Sequence, residues 1–189
     1  MKVRKSSLVM GVGLCLILAG LCLGVFFYAR AEQGDRLSRD IAAQLEAILP
    51  EEYAGMPGLY PDSGMPVLQV EGADYAALLE VPAFGVTLPV ADRWDSSRLS
   101  LTPARFCGSV YDGTLVIGGG RQFDFCGKID LGAAVTVTDM TGGAYTYTVA
   151  RVDRADHADT QWLMDEAWDL TLFYHDVYAM EYIAVRCVE

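Results

Sequence analysis

The sequence predicts a mainly β domain, a closed barrel or a sandwich with short helices, preceded by one transmembrane helix. Three observations predict it. Residues 8–29 form a run of 22 without a charged side chain. From Val67 onward, short apolar or alternating runs are separated by Gly, Pro and Asp-rich turns. In that part only one stretch has a helical pattern, and six to eight strands within about 120 residues is the density of an all-β domain. At 189 residues the chain has room for an anchor and one domain.

The N-terminal run is long enough to cross a bilayer as a helix, which needs roughly 20 residues. Lys2, Arg4 and Lys5 precede it and only Arg30 follows closely. The basic flank therefore places the N-terminus in the cytoplasm and everything after Arg30 outside. Ala29-Arg30-Ala31 has the small-x-small pattern of a signal cleavage site, but a cleavable apolar region is usually about 7–15 residues, so a retained anchor is the reading. Cys22 sits one place too late for a lipoprotein box. Residues 1–30 hold four of the 14 basic residues and none of the 25 acidic ones, which leaves 10 against 25 outside, a formal charge of −15. No basic stripe survives to neutralise phosphates, so nucleic acid is excluded as a partner.

Leu37, Ile41, Leu45 and Ile48 recur at helical spacing, and Pro50 ends that stripe. Residues 51–66 are rich in Gly, Pro and Tyr and read as a spacer. Three parts result: a cytoplasmic tip and anchor at 1–30, a juxtamembrane helix and spacer at 31–66, and a β domain at 67–189. Within the last, 78–81 and 86–90 are apolar runs bounded by Pro82 and Pro89. Residues 115–117 run into three glycines, 118–120, which lack the spacing and Lys of a phosphate-binding loop and read as a flexible loop. Residues 135–138 and 145–149 alternate around Thr141-Gly142-Gly143 and predict a hairpin. Residues 160–168 predict the one helix, and 170–174 and 182–188 the closing strands. Trp94, Trp162 and Trp168 read as core or groove-wall residues.

No Cys/His cluster has metal-ligand spacing, so neither metal nor other cofactor is expected. Cys15 and Cys22 lie in the anchor; Cys107, Cys126 and Cys187 lie outside, where an oxidising environment permits one disulfide. Cys107–Cys126 is the expected pair, with three buried thiols the alternative.

YAALLEVPAFGVTLPV, residues 75–90, resembles the opening of a sortase barrel. Trp94-Asp95, then Pro103, Arg105-Phe106 and Gly108-Ser109, resemble a stretch of clostridial class B-like sortases, as do Trp168-Asp169-Leu170-Thr171-Leu172-Phe173 and Ile183-Ala184-Val185-Arg186-Cys187 near the C-terminus. The similarity runs in order over residues 65–189. It implies an eight-stranded sortase barrel on a cell surface. It also implies a chemistry in which a Cys thiolate attacks a peptide carbonyl, a His serves the amines, and an Arg steadies the oxyanion. Residue by residue, the family's Cys position falls on His175 (Tyr174 precedes it), its His on Gly120 and its Arg on Tyr182, beside Glu181. All three are substituted. The resemblance thus implies a degenerate sortase holding an extended sorting-signal-like peptide, or an active sortase or surface protein. The alternative is an enzyme with a relocated nucleophile, Cys126 or His175, helped by Asp124 or Asp176; a product without a selected role is a third. His157 reads as helping to start the helix at 160, and Cys187 as packing.

Overall fold

The computed structural model describes residues 3–49, 64–99, 101–157, 159–165 and 167–189. Most of the expected spacer, 51–63, lies outside the described residues. The chain divides into two units, Met1–Arg36 and Leu37–Glu189. The first is helical from Val3, and its apolar stretch is long enough to cross a membrane, with Leu16, Ile17, Phe26 and Phe27 all exposed.

In the second unit, helix α1 (Val3–Ile48) ends two residues before Pro50. Its tail buries Ile41, Ala42 and Leu45 against Val70, Ala73, Tyr75, Leu78 and Met140. Of the predicted stripe, Leu37 and Ile48 remain exposed. Burying each of the two large aliphatics is worth about 1.5–3 kcal/mol before ordering costs.

Nine strands follow: β1 (Leu68–Val70), β2 (Ala73–Val81), β3 (Val86–Ala91), β4 (Ala104–Cys107), β5 (Leu115–Gly119), β6 (Ala134–Asp139), β7 (Ala144–Ala155), β8 (Leu170–Asp176) and β9 (Glu181–Val188). Their order is β1-β2-β3-β4-β5-β8-β9-β7-β6, and β2 also pairs β6. That last pairing closes β2 to β9 into an eight-stranded barrel, with β1 a short addition beside β2. The ring settles the choice that pattern left open: a barrel, not a sandwich.

Alternation along each strand sends one set of side chains inward. Leu79, Val81, Leu115, Ile117, Val135, Val137, Leu170, Leu172 and Val185 are among the buried residues of that interior. The 142–143 turn joins β6 and β7 in the predicted hairpin, with Val137 opposite Tyr145. Buried Asp139 holds the turn, accepting from the Thr141 and Gly143 amides at 2.8 and 2.9 Å and from the Tyr111 hydroxyl at 2.6 Å. Pro89 is tolerated inside β3 because β3 and β4 share a single pair, Ala91 with Ala104; the Pro89 carbonyl instead accepts from Thr102 Oγ1 at 2.6 Å.

Two expectations are corrected. The helix predicted over 160–168 is one turn, α2 (Thr160–Leu163), because Arg186 takes the Trp162 and Leu163 carbonyls that a longer helix would use. Its cap is Asp159, whose Oδ1 accepts from the Trp162 amide at 2.7 Å, and not His157, which is exposed upstream. The glycines at 118–120 do not form a flexible loop. Gly118 and Gly119 complete β5, paired with Phe173 and Tyr174 of β8, and all three approach neighbours closely.

Candidate functional site

β5 and β8 run parallel and finish at the same end of the barrel, where β9 begins. Gly120, His175 and Tyr182 converge there. Gly119 pairs with Tyr174, so Gly120 leaves β5 level with the last residues of β8. His175 and Tyr182 are direct cross-strand partners, and their rings stack at 4.6 Å between centroids with 29° between planes. His175 is exposed and Tyr182 half-buried; among the described residues no carboxylate hydrogen-bonds to His175.

Strand alternation splits this end into two faces. Tyr174 points inward and is 7% exposed, with its hydroxyl 3.5 Å from Asp176 Oδ2. Burial, with Asp176 next in weight, pushes that phenol up to about 12. Asp176 Oδ1 accepts from the Ala179 and Tyr178 amides at 3.1 and 2.9 Å, which hold its carboxyl below the usual range. Arg154 of β7 is ion-paired with Glu181 and also donates to the Gly127 carbonyl at 3.3 Å. The Arg154 guanidinium is thus already committed to a carboxylate.

The position of Gly120 has no room for a side chain. A Cβ there would lie 2.5 Å from the Leu99 carbonyl oxygen and 3.1 Å from Gln122 Oε1. Gln122 itself donates to that Leu99 oxygen at 2.8 Å. The segment between β3 and β4 therefore closes directly against the end of β5.

Cys126 is fully buried in the barrel interior, within a 3-10 segment, Arg121–Gly127. Burial first, then neighbouring Cys187, pushes its thiol well above the ordinary range; burial pushes Cys187 up to about 12. A nucleophilic cysteine needs the opposite shift and access to substrate. The expected Cys107–Cys126 disulfide is not formed. Both thiols are free, and they sit in different clusters, Cys126 inside the barrel and Cys107 on its outer side with Val116 and Phe173. Asp124, the other expected helper, is exposed and paired with Lys128 at 3.0 Å. Among the described residues no group of three or more His, Cys, Asp and Glu could hold a metal ion.

The outer face of β4, β5 and β8 carries what the sequence reading missed. Trp94 stacks on Phe173 at 5.5 Å, and Phe106 meets both rings edge-on at 5.2 and 5.7 Å. Trp94 covers Gly118 so closely that a Cβ there would lie 2.3 Å from the indole. Leu163 and Trp162 of α2 extend this surface over Phe173 and Ala184. Arg186, 1% exposed, pins α2 from below by donating to Thr171 Oγ1 at 3.0 Å and Leu163 O at 3.2 Å and lying 4.9 Å from the Trp162 ring centre. The available signal was Gly118 itself, since a glycine inside a strand marks close approach by something bulky. Trp168, also read as core or groove wall, is half-buried ahead of β8.

No family model and no curated protein sequence matches the chain. Solved structures do match. A sortase D5 transpeptidase from Clostridium perfringens superposes with a TM-score of 0.52 at 18% identity, covering 61% of this chain and 80% of that one. A lid mutant of sortase A from Corynebacterium diphtheriae gives 0.53 at 20% identity, covering 84% and 95%. Sortase C-1 from Actinomyces oris gives 0.51 at 19%, covering 80% and 97%. At these identities the likeness carries the fold alone. With the ring of β2 to β9 closed and an apolar N-terminal helix ahead of it, this chain has the sortase fold.

Proposed function

We propose that this protein is a membrane-anchored, extracytoplasmic pseudo-sortase of the class B-like type, a non-catalytic module that holds an extended peptide or a protein partner in the sorting of surface proteins. The division into anchor (1–30), juxtamembrane helix and spacer (31–66) and barrel (67–189) belongs to the same reading, with the N-terminus in the cytoplasm. The observation that carries it is the pairing of His175 with Tyr182. Where the resemblance calls for a thiolate beside a guanidinium, an imidazole stacks on a phenol. Neither ring can form a thioester or steady an oxyanion as a fixed cation. The space against Gly120 adds support, because a histidine there would strike the Leu99 carbonyl. Exposed Trp94, seated on buried Phe173 with half-buried Phe106 and Trp162 nearby, is the aromatic that the outer face offers to a partner. A relocated enzyme site gains nothing from Cys126, whose thiol is buried and shifted the wrong way.

The test is transpeptidation and hydrolysis of a library of sorting-motif peptides by the full chain in detergent micelles. Wild type is expected to be silent while retaining affinity for some of the peptides in a binding assay. Turnover by wild type would overturn the reading, and Cys126→Ala would then show whether that thiol carries it. The triple variant Gly120→His, His175→Cys, Tyr182→Arg measures how much else has been lost. Its activity is expected to stay low, because the histidine must first displace Leu99.

A further inference from the structure

Beyond Arg30 the chain has 10 basic and 25 acidic side chains, so a cation without a carboxylate partner is an exception that needs a reason. Arg105, Lys128, Arg151, Arg154 and Arg186 are each bound to a carboxylate within 4 Å. Among the described residues Arg98 is not bound in this way, and Arg93 reaches a carboxylate only at the 4.0 Å limit. The carboxylate beside Arg93 is Asp92, 4.0 Å away and already held by Arg105 at 2.5 Å. Arg98 acts on Asp95 and on the Tyr75 hydroxyl only through space. Both arginines line the same cavity, a recess of about 390 Å³ at the β3–β4 seam, floored by Gly72 and Ala73 and walled by Trp94. Asp74 and Asp95 line it too. Asp74 Oδ1 accepts from Gln69 Nε2 at 3.2 Å and Asp95 Oδ1 from Ser97 at 2.6 and 2.9 Å, so each carboxylate keeps a second oxygen clear of these bonds.

Arg98 with no carboxylate bound to it and Arg93 with one long pair, in one recess, hold a carboxylate well, since each presents a planar fork of donors. Two carboxylates in the same wall disfavour a phosphate or any polyanion and favour an ammonium. The recess lies at the small end of the range for ligand sites, about 300–1,000 Å³. We propose that this cavity binds a small zwitterion of the α-amino acid class, its carboxylate on Arg93 and Arg98 and its ammonium toward Asp74 and Asp95. The site stands on different residues from the His175–Tyr182 end, so it holds or fails independently of the pseudo-sortase reading.

Isothermal titration of the full chain in detergent with glycine, L-alanine and D-alanine tests it, with acetate, methylammonium and inorganic phosphate as partial mimics. The expected result is a dissociation constant on the order of 1 mM or tighter for at least one amino acid, with each mimic about tenfold weaker or worse. Arg98→Gln and Arg93→Gln each weaken amino acid binding about tenfold. Asp74→Asn with Asp95→Asn weakens amino acid binding while leaving or improving that of acetate. All four side chains are at or near the surface, so the thermal midpoint of each variant is expected to match wild type and confirm its fold. No heat from any amino acid at about ten times that concentration overturns the proposal. So does acetate binding as tightly as glycine, phosphate binding more tightly, or an unchanged affinity in folded Arg98→Gln.

Discussion

On the inner face of the β8–β9 ribbon, Leu170, Leu172, Tyr174, Ile183, Val185 and Cys187 are buried in one cluster. On its outer face the alternate residues are Thr171, Phe173, His175, Tyr182, Ala184 and Arg186. The same two strands therefore answer to different constraints. The inner set has to fill volume, and many apolar residues would do so. The outer set is particular: an aromatic under Trp94, a buried guanidinium under α2, a stacked imidazole and phenol. The barrel's shape rests on the inner set, whereas His175 and Tyr182 stand on the outer one.

The comparison breaks most visibly by making a hole inside. Leu172→Ala is expected to cost about 2–5 kcal/mol in denaturant unfolding, because Leu172 is fully buried at the centre of the ring. On the outer face the counterpart is Arg186→Ala, expected at about 2–4 kcal/mol. It strips the Leu163 and Trp162 carbonyls and Thr171 Oγ1 of their donor and leaves Asp153 with Arg151 alone. The two losses are distinguished by location. Limited proteolysis of Arg186→Ala is expected to cut within 156–169 before global unfolding, while Leu172→Ala unfolds as a unit. Early nicking in both would mean that the faces are not separately constrained.

Alkaline pH sharpens the contrast, because the shifted acids lie inside. Cys187 and Tyr174 are held protonated up to about 12 and Cys126 is also raised, while their unfolded counterparts release protons from about 8.5–10. Above those unfolded values the unfolded state binds fewer protons than the native one. Stability is therefore full below about pH 8.5 and falls as pH rises toward 12. Cys187→Ala is expected to lower the neutral plateau through its cavity and to flatten the upper limb in a pH series of denaturant melts. An unchanged slope would place the alkaline loss elsewhere. Thiol labelling of the native chain outside the N-terminal apolar helix should accordingly reach half-exposed Cys107 first and leave Cys126 and Cys187 unmodified.

Much of the inner face was legible in advance. Alternation marked 135–138 and 145–149, and their register follows from the turn between them. Legibility failed where a side chain's partner is distant in sequence. β7 runs on to Ala155 through Arg151, Asp153 and Arg154, past a bulge near Arg151, because Asp153 pairs with Arg186 and Arg154 with Glu181 on β9, while Arg151 pairs with Asp153. The helix at 160 was overextended because the residue that ends it, Arg186, lies more than twenty positions away. At the site, the resemblance singled out Gly120, His175 and Tyr182 residue by residue. Their mutual contact could not be read there, nor the closure of Leu99 on Gly120, because both depend on which strands the barrel makes neighbours.

The smallest expected effect falls on the pair that carries the functional reading. His175 is exposed and Tyr182 half-buried, so their stack excludes little water and has to order two side chains at a strand end. Cross-strand aromatic pairs are worth about 0.2–1 kcal/mol, and an exposed one belongs at the lower end. His175→Ala and Tyr182→Ala are each expected to cost well under 1 kcal/mol, and a double-mutant cycle should return a coupling of about 0.5 kcal/mol or less. A coupling above about 2 kcal/mol would make the pair a structural clamp and weaken the case that this end serves a partner. With a small coupling, the decisive comparison is partner binding. Two substitutions that barely change stability but abolish peptide affinity would show that the end of the barrel is kept for recognition, since nothing in the packing requires those two rings.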